Sequence, residues 1–457
     1  MKVHINGLKS GNCLLGYHYG DKNAIVDTAK ADANGNIEFK ADTAVPGGIY
    51  FVLLPSKKYF EVILTDVQKF SIDVDTTDFI RSMKINGSNE NKYFYEYLNY
   101  LSDQQKKVEP IQNQMKLTKN KDTLAMLQKK SAAIDSTVKA YKRAYYQTKH
   151  PETFMAEVLR AMDEPDQIPY SKLPKKANGQ IDSAYNYWNF RHHYWDGMDF
   201  SDDRLIRTPM YANKMKFYME KLTPPHPDSI MAACDWLIEK SRPSKELFKY
   251  TVANLTVNYE TSKVMGYDAI FVHLVDTYYK TNQVWWVGDE QKTKIINRSN
   301  QLSYGLIGKT AVNIMMKDTS ARLQVLSEVK ADYTIIVFWE PTCSHCKKEI
   351  PLLKTYYDSL RAAGVSIEVF AIRSDLDSVN WRKFIRDNKL TWINVASKDP
   401  QELATAKYYY DVYSTPTLYV TDNKKTIIAK RLDIDGLHTV LNRRIEQDKK
   451  AQVKKPK

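Results

Sequence analysis

The stretch that most constrains the fold runs from Tyr333 to Glu349. An apolar, β-branched segment, Tyr333-Thr334-Ile335-Ile336-Val337, leads through Phe338-Trp339-Glu340-Pro341-Thr342 into Cys343-Ser344-His345-Cys346-Lys347-Lys348-Glu349. The first segment reads as a buried strand, and the spacing after the second cysteine is helical. A Cys-x-x-Cys pair between a strand and a helix is a redox-site arrangement. The first N–H groups of a helix have no intrahelical partner and carry partial positive charge, so a sulfur placed there is favoured as the thiolate. Cys343 is therefore expected to ionise below the ~8.5 of a free thiol. Cys346, one turn in, lies within reach to close a disulfide.

Two other uses of such a pair must be weighed. Structural zinc takes four Cys or His ligands, and neither a second Cys-x-x-Cys nor a His-x-x-x-His follows in this chain, so no metal is expected. An inert core pair would lie inside an apolar stripe, whereas these cysteines open a helix behind a strand. The downstream pattern is α/β. Gly364 to Ile372 reads as a buried strand, and Ser378 to Asn388, with Val379, Trp381, Phe384 and Ile385, as an amphipathic helix. Trp392 to Ala396 is a short apolar run and Pro400 to Tyr410 is helix-like. Ser414-Thr415-Pro416-Thr417 then feeds a strand at Leu418 to Thr421, followed by a strand at Thr426 to Leu432 and a closing helix at Gly436 to Ile445.

With these residues the chain resembles the thioredoxin superfamily, and within it the TlpA/ResA-type extracytoplasmic thiol-disulfide oxidoreductases. Phe338-Trp339, Cys343-Ser344-His345-Cys346, Lys347-Lys348-Glu349-Ile350-Pro351 and Thr415-Pro416-Thr417 carry the likeness. It extends from about Gly308, where Ile307-Gly308-Lys309-Thr310-Ala311 looks like the family's opening motif, to about Gln447. The resemblance implies that Cys343 is the exposed attacking thiol and Cys346 the resolving one, with no cofactor beyond the redox-active Cys343–Cys346 disulfide. It implies a substrate-binding surface at Trp339, Pro341, His345, Thr415 and a cis Pro416, Thr415 presenting backbone to an extended partner segment. Glu349 matches an acidic residue thought to influence thiol ionisation; otherwise it is a first-turn carboxylate, favourable there by about 0.3–1 kcal/mol. His345 departs from the pattern, since many reductases of this kind carry Pro before the second Cys. The strong oxidant DsbA has a His in that dipeptide, where a cation stabilises the reduced form. The expected chemistry is thiol–disulfide exchange with disulfide-containing partner proteins, in the direction of partner reduction and fed by an unidentified thiol donor. A peroxidase reading does not fit, because peroxiredoxins place Thr or Ser three residues before the reactive Cys and Glu340-Pro341 supplies no such hydroxyl.

Composition sets outer limits. With 457 residues, 43% of them hydrophobic, the chain can bury the cores of about three domains. Its four cysteines are too few for a disulfide-built scaffold, and Cys13 and Cys234 read as core-packing thiols. No apolar stretch is long enough to span a membrane, and Met1 to Asn6 alternates like a strand and lacks the apolar core of a signal peptide. The chain is then either cytoplasmic or a mature form lacking its export signal, and the resemblance implies the second, in the periplasm or cell envelope. The net charge of +13 is dispersed over Lys-rich segments without a nucleic-acid motif, so no nucleic-acid partner is expected. The basic end, Lys449 to Lys457, reads as solvated and frayed.

The expected fold is multi-domain: an all-β sandwich-like domain over residues 1–88, an α-helical middle region over 89–300, and an α/β thioredoxin-like fold over 301–457. In the first, strands at Asn12 to Tyr19, Ala24 to Lys30, Ile37 to Lys40, Ile49 to Leu54, Tyr59 to Leu64 and Lys69 to Val74 are separated by turn signals such as Asn34-Gly35-Asn36. This part, including its ending Lys84-Ile85-Asn86-Gly87-Ser88, resembles the β-domain ahead of thioredoxin-like domains in Bacteroidetes envelope proteins. In the second, Leu124, Leu127, Ser131, Ile134, Val138, Tyr141 and Tyr145 form a stripe expected to pack on Tyr93 to Leu101 as a hairpin, or to make a homodimer. The aromatic run Tyr187 to Asp196, containing His192-His193, is read as packing more than as a ligand or metal site. Helices are expected at Asp228 to Glu239, at Ser244 to Tyr259 with Ser244 as N-cap, and at Ala269 to Tyr279, with His273 on an apolar face as a core histidine. The alternative to an enzyme is an envelope scaffold that captures a peptide or glycan through the upstream domains.

Overall fold

The computed structural model of the chain describes residues 1–453. The chain divides into two compact units, Met1–Thr251 and Val252–Lys457.

The first unit opens with eight strands, β1 (Lys2–Asn6), β2 (Asn12–Tyr19), β3 (Lys22–Lys30), β4 (Asn36–Glu38), β5 (Gly48–Leu53), β6 (Tyr59–Leu64), β7 (Ser71–Asp75) and β8 (Lys84–Asn86). They form two four-stranded sheets, ordered β4-β1-β7-β8 and β3-β2-β5-β6. Alternation along β1 and β7 turns one row inward: Val3 and Ile5 of β1 and Ile72 and Val74 of β7 are buried between more exposed neighbours. The expected sandwich is present. Its eighth strand, β8, lies in what reads from sequence as a domain ending. Gly35 holds the turn before β4 at φ 77°, and a Cβ there would stand 2.3 Å from the Ile5 carbonyl oxygen, so only glycine fits.

Helices follow: α1 (Asn89–Leu117), α2 (Lys121–Ala144), α3 (Phe154–Ala161), α4 (Tyr185–His193), α5 (Pro209–Phe217), α6 (Pro227–Ser241) and α7 (Lys245–Glu260). Ser88 caps α1, and the buried Asn91 side chain hydrogen-bonds both the N–H and the carbonyl of Ile63, fixing α1 to the edge strand β6. The stripe on α2 meets α1 as a hairpin, with Tyr141 stacked on Tyr100 at 3.6 Å. Glu90 accepts hydrogen bonds from Phe154 and Met155 N–H, so a residue of α1 satisfies the open start of α3. Ser244 caps α7 through the Leu247 N–H. The aromatic run divides: Tyr194 and Trp195 are buried, whereas α4 itself buries no side chain and Trp188 is half-exposed. His193 pairs with Asp196, and no cluster able to hold a metal ion occurs among the described residues. Cys13 and Cys234 are buried and neither is in a disulfide.

The second unit contains α8 (Asp268–Leu274) and α9 (Asp289–Ser303), so α9 runs across the boundary placed at residue 300. His273 is only half-buried, because α8 turns that position toward the edge of its apolar face. There follow β9 (Met315–Asp318), β10 (Leu323–Val325), β11 (Tyr333–Trp339), α10 (Ser344–Ala362), β12 (Ile367–Arg373), α11 (Ser378–Asp387), β13 (Ile393–Ala396), α12 (Pro400–Tyr409), β14 (Thr417–Asp422), β15 (Ile427–Lys430) and α13 (Ile434–Val453). Lys449 and Lys450, read from sequence as frayed, lie in α13, because the helical pattern continues through them; 454–457 lie outside the described residues.

The sheet order is β10-β9-β13-β12-β11-β14-β15, with β11 central, parallel to β12 and antiparallel to β14. Every residue of β11 is buried, as a strand covered on both faces requires. Ile335, Val337 and Trp339 face a core shared with Ile350 and Leu353 of α10, Trp381 of α11 and Leu437 and Leu441 of α13. Ile336 and Phe338 face the opposite core, with Leu403 and Ala406 of α12, Tyr410 and Tyr419. Because Ile336 is wholly buried, Ile336→Ala is expected to destabilise the second unit by about 2–5 kcal/mol. Urea unfolding monitored by tryptophan fluorescence measures this, and a loss below about 1 kcal/mol would contradict the packing described.

Candidate active site

Strand β11 ends at Trp339, and Glu340 to Thr342 turn the chain into α10, whose N-cap is Cys343 in extended conformation (φ −66°, ψ 129°). Cys343 is half-exposed and Cys346, in the first turn, is fully buried. The Ser414 to Thr417 loop lies alongside, because Phe338 pairs with Thr417 across β11 and β14. The Thr415–Pro416 bond is cis, as the family likeness implied. The Cys343 thiol donates to the Thr415 carbonyl oxygen at 3.3 Å, and the Thr415 hydroxyl donates to Glu340 Oε1 at 3.0 Å.

The two sulfurs differ in ionisation. Partial burial pushes the Cys343 thiol up. The N–H of Cys346, the Thr415 and Cys346 side chains and the N–H of His345 outweigh that and hold it below the ordinary thiol range. No capping hydrogen bond of full geometry forms at Cys343, so those N–H groups act on the sulfur as partial charges at the helix start. Cys346 is pushed up to about 12, first by burial, which the Glu340 N–H and Thr415 offset in part, and then by the neighbouring Cys343.

Not every expected site residue faces the dithiol. His345 is exposed and Thr415 borders Cys343. Trp339 is wholly buried, its ring centroid 5.0 Å from that of Phe384, and Pro341 is buried too. Neither is exposed, and Trp339 shares a core with Cys346, because the buried register of β11 continues through its last residue. Glu349 accepts the Ile434 N–H at 3.3 Å and so supports the start of α13. The carboxylate tied to the dithiol loop is instead Glu340, which no motif position flagged. Its only sequence signal is an acid set directly after a buried strand. Arg373, level with Trp339 in the sheet, donates to the Asp375 and Ser397 carbonyls beneath this loop. The Asp375 carboxyl is raised by burial, opposed by the Asp377 N–H and Arg373, with Glu340 adding to the rise.

A central strand, a dithiol at the following helix start and a proline loop across the adjacent strand define a thioredoxin-like redox site. Residues 307–430 match the AhpC/TSA family, 1–94 match a domain of unknown function (DUF4369) and 102–304 another (DUF5106). The thiol-disulfide oxidoreductase ResA of Bacillus cereus is 25% identical over 124 residues, 27% of this chain and 68% of that protein. ResA of Bacillus subtilis is 26% identical over 121 residues, 26% of this chain and 64% of that protein. This chain thus spans about two thirds of the length of those relatives. A solved domain of a possible thiol-disulfide isomerase from Cytophaga hutchinsonii is 38% identical, covering 33% of this chain and 97% of that one, at a TM-score of 0.29. A thioredoxin-like protein from Bacteroides caccae is 20% identical, covering 60% and 99%, at a TM-score of 0.46. The chain is a multi-domain member of the thioredoxin superfamily, a thiol-disulfide oxidoreductase of the ResA-like kind.

The unequal sulfurs give a direct expectation for the reduced protein. Iodoacetamide is expected to alkylate Cys343 with a pH midpoint below that of a free thiol, the rate falling as pH drops through that midpoint and the thiolate is protonated. Cys346 should stay unmodified until the protein unfolds. Peptide mapping after alkylation at stepped pH checks both; preferential labelling of Cys346 would contradict the assignment.

Proposed function

We propose that the chain exchanges disulfides with partner proteins in the cell envelope through Cys343 and Cys346, in the direction of partner reduction. The observation that carries this reading is the pairing of an accessible, acidified sulfur with a buried, protonated one. The Cys343 thiolate attacks one sulfur of a partner disulfide, the Cys343–partner bond forms, and the partner's other sulfur leaves as a thiolate that takes a proton. Cys346 then loses its proton and attacks Cys343 Sγ, closing the intramolecular disulfide and releasing the second partner thiol. Two electrons pass to the partner. A thiol donor resets the dithiol.

Forming the mixed disulfide itself promotes the second step. Cys343 raises the Cys346 pKa as a neighbouring charge and hydrogen-bond partner, and both effects vanish once its sulfur is bonded to the partner. Glu349 accepts the Ile434 N–H at the start of α13. The preference for reduction is supported by the exposure of His345: a solvated side chain acts weakly on a nearby thiolate, so the dipeptide places no buried charge there that would favour the reduced state. The envelope location rests on the motif likeness to extracytoplasmic oxidoreductases; no helix among the described residues is long and apolar enough to cross a membrane. A second reading, capture of a peptide or glycan by the upstream domains, is favoured by an open cleft of about 1100 Å³ in the β-sandwich, lined by Leu15, Val26, Phe39, Leu64 and Phe70 among charged neighbours.

Cys343→Ser is expected to abolish insulin reduction with dithiothreitol as donor, while Cys346→Ser traps a mixed disulfide with the substrate. Equilibration with glutathione should place the dithiol nearer thioredoxin's potential of about −270 mV than DsbA's of about −120 mV. Insulin turnover unaffected by Cys343→Ser would overturn the reading and leave capture by the β-sandwich as the function to test.

A further inference from the structure

Helix α9 reaches the loop that carries Thr415, and both lie within the unit Val252–Lys457. Its Arg298 grips Asp411, one guanidinium nitrogen on each carboxylate oxygen, the second bond being 3.1 Å. The same guanidinium donates to the Tyr413 hydroxyl at 3.0 Å and lies over its ring, 5.1 Å from the centroid. That hydroxyl in turn donates to Gln301 of α9 at 2.9 Å. From the other side Arg431 pairs with the Asp411 carboxylate and donates to the Asp411 carbonyl at 3.2 Å.

Asp411 is buried and ends α12 in the left-handed conformation (φ 48°) of a backbone-held helix end, its N–H on the Tyr408 carbonyl and the Val412 N–H on the Lys407 carbonyl. The residues beyond it need holding. Tyr413 is 72% exposed, so apolar packing does not fix its ring. What holds it is Arg298 and Gln301. Two residues further on, Thr415 accepts the Cys343 thiol and donates to Glu340. A continuous run of hydrogen bonds and backbone therefore links α9 to the attacking sulfur.

We infer that Arg298 is a positioning residue for partner docking: from α9 it fixes the Asp411–Tyr413 segment, and with it the Ser414 and Thr415 peptide groups along which a partner's extended chain would lie. The inference rests on the proposed exchange reaction and adds to it that the helical segment shapes the docking face. A protein disulfide must lay its chain along that loop, whereas a small aromatic disulfide needs only the sulfur. Loss of the clamp should therefore separate the two.

The test uses the full chain with Arg298→Gln, Arg298→Lys and Tyr413→Phe. Insulin is the protein disulfide and 5,5′-dithiobis(2-nitrobenzoate) the small one. Arg298→Gln leaves Asp411 paired with Arg431, and it is expected to raise KM for insulin about tenfold while the small-disulfide rate stays within about twofold. Arg298→Lys, which keeps the charge and loses the fork, should recover only part of the KM. Tyr413→Phe, at an exposed ring, should raise the insulin KM about threefold and decides the matter if circular dichroism shows Arg298→Gln to be unfolded. Insulin KM within about twofold of the parent in folded variants would overturn the inference, as would an equal fall in both reactions, the mark of lost folded protein. A parent chain that does not turn over insulin would overturn the exchange reaction itself.

Discussion

The site depends on one junction, where a strand buried on both faces stops and a helix begins. β11 places every side chain in a core, so its end is rigid, and after a three-residue turn Cys343 occupies the N-cap position of α10. The free N–H groups of that first turn must be satisfied by something, and here they act on sulfur. No cationic side chain is needed to acidify the thiol. The N–H groups of Cys346 and His345, with the Thr415 and Cys346 side chains, stabilise the thiolate, and the two cores, one under α10 and one under α12, hold the backbone in place.

The same junction makes the two cysteines unequal. Moving one turn along α10 carries the second sulfur from the solvent edge into the core formed by Trp339, Ile350 and Leu353. Desolvation disfavours a charged sulfur there, whereas at the helix start the amide field outweighs it. Trp339, buried in the same core as Cys346, belongs to this contrast. The chemistry follows from where the water stops.

Much of this was legible because it is local. The all-apolar β11, the cysteine spacing, the Thr415-Pro416 loop and the amphipathic α11 each advertise themselves within a dozen residues. The hairpin β9–β10 did not, since Met315 and Leu323 face solvent and its strands are three and four residues long, too short to reveal a period. Trp339, Pro341 and Glu349 were assigned by motif position, which fixes a place in the chain and not the direction of a side chain. Glu340 and Arg298 were invisible for a different reason. Their partners, Thr415 and Asp411, lie 75 and 113 residues away, and no local pattern encodes such a pairing.

The contacts between the α8–α9 segment and the thioredoxin-like domain include buried ion pairs beside aromatic ones such as Tyr304 on Tyr409. Lys430, almost wholly buried, bonds Asp268 of α8 and the Gly305 carbonyl, and Asp411 lies between two arginines. Removing such charges from water costs roughly what their attraction returns, so these pairs add little net stability. What they do add is direction, because a bidentate arginine accepts a carboxylate in one plane and an apolar contact tolerates sliding. Lys430 ends β15, and Asp411 lies just before the proline loop that leads into β14. An interface that needed only to hold would not require that angular definition, whereas one that sets the position of Thr415 beside a reactive sulfur does.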